Sequence, residues 1–140
     1  MIRFVQKSLD DMANPEKAGP MQAYMKTTMP FYGVQTADRK KLAARVKKRF
    51  AVGDNQAYRG MITSLWKLPH REEKYLALEM AQRYKRFIIH ENLDIYERLI
   101  REGAWWDFVD AIAAHLVGGA LAKEPQVVYP IMDLWINDAD

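Results

Sequence analysis

Apolar residues in this chain recur at intervals of three and four, and turn signals interrupt that rhythm about every twelve to eighteen residues. No segment shows the strict alternation of a half-buried strand. The pattern constrains the fold to an all-α class. A first helix is expected from Ile2 to about Met12, with Phe4, Val5 and Leu9 on its inner side. Asn14-Pro15 caps and restarts the chain, and Pro20 can open a second helix, Met21 to Thr28, carrying Tyr24. Pro30-Phe31-Tyr32-Gly33 breaks it. Thr36 suits the N-cap of a third helix over Ala37 to Phe50, and Asp54 or Asn55 that of a fourth, whose Tyr58, Met61, Ile62, Leu65 and Trp66 face inward. Glu72 and Glu73 occupy the first turn of a fifth helix, a sixth runs from Asn92 to Arg101, Gly118-Gly119 ends a seventh, and Pro125 opens a last one through Val128, Ile131, Met132 and Trp135.

The helices come in pairs. Leu65-Trp66, Leu99-Ile100 and Leu134-Trp135 recur at a spacing of about 34 residues, the length of a helical-hairpin repeat. The expected architecture is a HEAT/armadillo-like superhelical stack of antiparallel helix pairs, forming one domain over residues 1–140. Asn137 and Asp138 are N-cap residue types after an apolar helix, so the chain reads as the N-terminal part of a longer solenoid. An open C-terminal end of that kind could also associate with a second copy.

Charge is distributed unevenly. The last fifty residues carry three Lys/Arg against ten Asp/Glu, a net of −7, so the first ninety, with eighteen against eight, carry +10. The third helix concentrates the positive charge in Arg39, Lys40, Lys41, Arg45, Lys47, Lys48 and Arg49, with no acid between Arg39 and Arg49. Such a face is either a solvated outer surface or one that meets phosphates, and the lack of any relieving acid favours phosphates. There is no cysteine, which removes disulfides and thiolate chemistry and fits a cytoplasmic protein. No apolar run has the length of a membrane span, and none resembles a signal peptide. His70, His90 and His115 are scattered without metal-ligand spacing and read as surface or cap residues. Phosphate-binding glycine loops and nucleophile motifs are lacking, so no metal or cofactor is expected.

The stretch that packing alone explains least is Gly103-Ala104-Trp105-Trp106-Asp107-Phe108-Val109-Asp110. On a helix, Trp105, Val109, Ile112 and Leu116 form a core stripe. Trp106 and Asp110 stand at i,i+4 on another face, followed only by Ala113 and Ala114. That pair is either a site or a half-buried packing pair. Asp107, in the first turn, fits a structural role at the positive end of the helix dipole.

Asn14-Pro15-Glu16-Lys17-Ala18 with Met21 and Tyr24-Met25-Lys26, Gly33-Val34-Gln35-Thr36, Leu65-Trp66-Lys67-Leu68-Pro69-His70-Arg71-Glu72 and Trp105-Trp106-Asp107-Phe108-Val109-Asp110 resemble, in the same order, the AlkD group of DNA alkylation repair enzymes. The resemblance implies a HEAT-like DNA glycosylase that excises positively charged N3- or N7-alkylated purines from double-stranded DNA. It makes Asp110 the catalytic carboxylate and Trp106 its aromatic partner, with Tyr24 and Trp105 lining the damaged nucleotide. Gln35, Thr36, Arg39 and Lys40 are the expected DNA-backbone contacts. The family completes its site with a tryptophan and an arginine from helices beyond the length of this chain. The competing expectation is a non-catalytic helical-repeat module that binds DNA or a protein partner, in which Asp110 is replaceable.

Overall fold

The structure, a computed structural model, describes residues 1–138. It is all-α: helices α1 Ile2–Asp11, α2 Pro15–Met25, α3 Thr36–Arg49, α4 Asn55–Trp66, α5 Arg71–Arg83, α6 Leu93–Gly103, α7 Trp106–Ala111, α8 Gly118–Lys123 and α9 Pro125–Ile136. No strand occurs among the described residues, and no helix among them is long and apolar enough to cross a membrane. The chain divides into two units, Met1–Met80 and Ala81–Asp140.

In the first unit α1 packs on α3 through Val5 and Leu9, which meet the Leu42, Ala43 and Val46 stripe. The second helix does not begin at Pro20. The Asn14 side chain accepts the Glu16 amide at 3.1 Å and Pro15 takes the first helical position, so the stronger start signal wins. Pro20 lies inside α2, where exposed neighbours leave the carbonyl that it cannot serve open to water. The helix closes on Lys26 in the left-handed conformation (φ 52°). Helix α3 starts one residue earlier than expected, with Gln35 rather than Thr36 as N-cap. Helix α4 buries all five residues of its expected stripe, and the Asp54 carboxylate caps it by accepting the Ala57 amide at 2.7 Å.

The segment between α2 and α3 is held from below by α5. Glu72 is fully buried, and its carboxylate accepts the backbone amides of Tyr32 (3.0 Å), Gly33 (2.7 Å) and Val34 (2.9 Å). Three donors on one anion offset the cost of burying it. Gly33 has φ +89°, and a Cβ there would stand 2.1 Å from the Asn14 carbonyl oxygen. Only glycine fits that turn. The neighbouring Glu73 is equally buried; its Oε1 meets His70 Nδ1 at 3.0 Å, whereas Oε2 has no hydrogen-bond partner. His70 stacks on Tyr32 with ring centroids 3.8 Å apart. Burial first, and then the Glu73 carboxylate, pushes the Tyr32 phenol well above its ordinary range.

In the second unit, short 3-10 turns at Lys85–Phe87 and His90–Asn92 lead into α6. Buried Asn92 donates to the Phe87 carbonyl at 2.6 Å and fixes that elbow. The chain from Trp106 to Lys123 is one continuous helical run, α-helical at each end and wound as wider π-turns over Ile112–Val117. The expected stop at Gly118-Gly119 is therefore overturned. A Cβ at Gly119 would lie 2.9 Å from the Ile88 side chain, so this glycine serves close helix packing, not termination. The core row of the run is Phe108, Ile112 and Leu116, not the expected row led by Trp105 and Val109, both of which are half-buried. Trp105 is the extended N-cap (φ −130°, ψ 141°), outside the helical period, so the inward row starts from Phe108. Asp107 sits in the first turn of α7, as the dipole argument expects. Helix α9 buries only Val128, and Ile131, Met132 and Trp135 are half-buried.

Candidate active site

The second unit contains a pocket of about 480 Å³ built from three helices. Helix α6 supplies Glu97, Ile100 and Arg101; the start of α7 supplies Trp105, Trp106, Val109 and Asp110; the end of α9 supplies Trp135 and, just beyond, Asp138. The entry to α7 is set by Ala104, which ends α6 in the left-handed conformation (φ 43°, ψ 32°) and donates its amide to the Ile100 carbonyl at 2.8 Å. This reversal turns the two tryptophans outward from α6. The Trp105 carbonyl then accepts the amides of Phe108 (3.1 Å) and Val109 (2.9 Å) and starts the helix that carries Asp110.

Trp106 is 58% exposed and Asp110 is exposed, and both line the pocket. The half-buried packing pair is thus not what the structure shows. Asp110 makes no hydrogen bond or ion pair among the described residues. Ala113 and Ala114, on the next turn, are exposed and leave the approach open. Three carboxylates, Glu97, Asp110 and Asp138, line the pocket against one guanidinium, Arg101. Arg101 donates from Nη2 to Asp138 Oδ2 at 2.6 Å and to Glu97 Oε1 at 3.0 Å, and from Nε to Glu97 Oε1 at 3.1 Å. These bonds hold the guanidinium firmly in its charged form. An aromatic wall with excess negative charge favours a cationic guest and disfavours a phosphate. Sequence reasoning missed Glu97, Arg101, Trp135 and Asp138 as pocket residues. The i,i+4 spacing of Glu97 and Arg101 was the only local signal.

In the first unit, Tyr24 is 76% exposed on α2 and lines a groove of about 350 Å³ with Met21, Phe31, Thr36, Arg39 and Tyr75. The expected residues Tyr24, Thr36 and Arg39 therefore share one surface. Arg39 is half-buried: its guanidinium lies 4.5 Å from the Tyr75 ring centroid and donates to the Val34 carbonyl and Thr36 Oγ1, each at 3.1 Å. Burial lowers its affinity for a proton. Gln35 is exposed and accepts from Lys17 Nζ at 3.1 Å, and Lys40 is exposed. The acid-free face of α3 has aromatic relief that its own sequence does not reveal. Arg45 and Arg49 lie 5.2 and 4.7 Å from the Phe4 ring centroid. Lys41, Lys47 and Lys48 are exposed on the same helix.

The sequence profile of a family described as DNA alkylation repair enzyme matches residues 5–140. A solved structure, a predicted DNA alkylation repair enzyme from Enterococcus faecalis, is similar with a TM-score of 0.80 and 25% identity. The similarity covers 91% of this chain and 60% of that one, so the chain spans about three fifths of that relative's length. No curated protein matches the sequence.

Proposed function

Since the chain belongs to the DNA alkylation repair enzyme family, we propose that it is a DNA glycosylase acting on positively charged N3- or N7-alkylated purines in double-stranded DNA. The observation that carries this reading is Asp110, an exposed carboxylate without a protein partner in an aromatic pocket of net negative lining. An alkylated purine is already a cationic leaving group. When its bond to the sugar C1′ breaks, the electron pair goes to the base, which leaves neutral, and positive charge develops on the sugar. Asp110 would stabilise that charge and orient the water that adds at C1′, the water proton passing to the carboxylate or to solvent. Trp106 and Trp105 offer faces that favour cations, and Tyr24 is the proposed aromatic contact from the first unit. The exposed cations of α3 with Gln35, Thr36, Arg39 and Lys40 would meet the DNA backbone irrespective of sequence. Stacking of the helix pairs into a HEAT-like superhelix, with self-association at its end, belongs to the same proposal.

Release of 7-methylguanine from methylated duplex DNA by the chain and by Asp110→Asn tests it. Wild-type release that falls by about two orders of magnitude in the variant is the expected result. Equal release by both proteins overturns the role of Asp110. The second reading, a non-catalytic binding module, is favoured by the exposure of Tyr129, Leu134 and Ile136 on α9 (57, 73 and 77%). It expects no release from either protein and binding that Asp110→Asn leaves unchanged.

A further inference from the structure

Two of the three carboxylates in the Asp110 pocket have no part in the reaction derived above. Glu97 stands one turn before Arg101 on α6, and Asp138 follows α9; both grip the same guanidinium, at 3.0 and 2.6 Å. The three side chains are each between a third and two fifths exposed, and ion pairs of that exposure add little to folding stability. Two anions on one cation also over-neutralise it, which a stabilising pair does not require. What the arrangement does accomplish is electrostatic. Arg101 is the one cation lining a pocket whose working carboxylate, Asp110, is left unpaired. Guanidinium groups seek planar two-oxygen partners, and Asp110 is the remaining carboxylate of that pocket. Paired with Arg101, it would have its charge cancelled before any cationic sugar formed.

We infer that Glu97 and Asp138 are positioning residues: they hold Arg101 away from Asp110 and so keep that carboxylate uncompensated for the cationic group that it serves. The inference rests on the reading of Asp110 proposed above. It also predicts what Arg101 does when released, which is to move onto Asp110.

The test compares the chain with the near-isosteric Glu97→Gln/Asp138→Asn variant, and with the same variant carrying Arg101→Gln, by crystal structure and by 7-methylguanine release. In the double variant the guanidinium is expected against Asp110, and release falls about tenfold, the scale of one partly screened opposite charge beside a reacting carboxylate. DNA affinity is unchanged or tighter. Arg101→Gln in that background restores release, which loss of a merely structural contact would not permit. An Arg101 side chain that stays in place or turns to solvent overturns the inference, as does a loss that Arg101→Gln fails to restore. If the unsubstituted chain releases no base, the glycosylase reading fails, and the position of the guanidinium still decides this one.

Discussion

Replacing Glu72 by glutamine is expected to destabilise the protein far more than the same change at Glu73, although both are fully buried on the same turn of α5. The Glu72 carboxylate receives three backbone amides, one on Oε1 and two on Oε2. A glutamine can turn its oxygen toward Gly33 and Val34, but its NH2 then confronts the Tyr32 N–H. One charge-assisted bond is lost, about 2 kcal/mol, and two more fall to neutral strength, about 0.5–1 kcal/mol each. The sum is about 3–4 kcal/mol. With a urea m-value of about 2 kcal/mol/M for a chain of this size, the unfolding midpoint should fall by about 1.5–2 M. At Glu73 the amide loses no bond at Oε2, which has none, and the expected change is within about 1 kcal/mol. Urea unfolding of both variants is the assay, with hydrogen exchange at the Gly33 and Val34 amides as the local readout. Equal midpoints for the two variants, or undiminished protection of those amides in Glu72→Gln, would refute the reasoning.

Gly33→Ala combines a positive φ with a Cβ 2.1 Å from a backbone oxygen, and should cost more than about 4 kcal/mol, read as loss of the cooperative unfolding transition of the first unit. Ala104→Gly should act in the opposite direction, since alanine in the left-handed region is strained; a gain of about 0.5–1 kcal/mol in urea unfolding is expected, with the α6–α7 turn unchanged. His90 and Glu124 make the second unit pH-sensitive. The Glu124 hydrogen bond raises His90 above its ordinary 6.5, so its contribution is complete below 6.5 and fades as the pH rises through the raised value. Hydrogen bonds from His90, its backbone amide first, lower Glu124 below 4.5, so that contribution is complete above 4.5 and is lost on acidification. Melting temperature should therefore be highest between about pH 4.5 and 6.5 for this pair, and Glu124→Gln should flatten the profile.

Local signals carried through to the structure and distant ones did not. The α4 stripe was legible because all five residues obey one helical period. Trp106 with Asp110 was legible as an outward pair for the same reason, since i,i+4 spacing holds once the helix starts before both. The register of Trp105 was not, because the helix begins one residue later and leaves that tryptophan in extended backbone. Glu72 and Glu73 read as ordinary first-turn carboxylates; the amides that justify burying Glu72 lie about forty residues upstream. The Glu97–Arg101–Asp138 cluster joins α6 to the end of α9, 37 residues apart, and no spacing rule connects them. Gly118-Gly119 carried a misleading signal: glycine marks close approach as well as helix ends, and only the position of Ile88 decides between the two.

The π-turns over Ile112–Val117 change what a length variation in this chain would mean. A π-turn holds one residue more than an α-turn, so the run from Trp106 to Lys123 carries the equivalent of an insertion absorbed inside a helix instead of in a loop. Deleting one residue there should leave a regular α-helix. Everything after the deletion would then turn by about 100° about the helix axis, the step of a single residue. Gly119 would no longer face Ile88, and Ala120, now buried, would leave the core. Relatives that differ by one residue at this point would keep α7 with its Trp–Asp face and present another surface from α8. The helix would tolerate the gap, and the packing of α8 against α9 would register it.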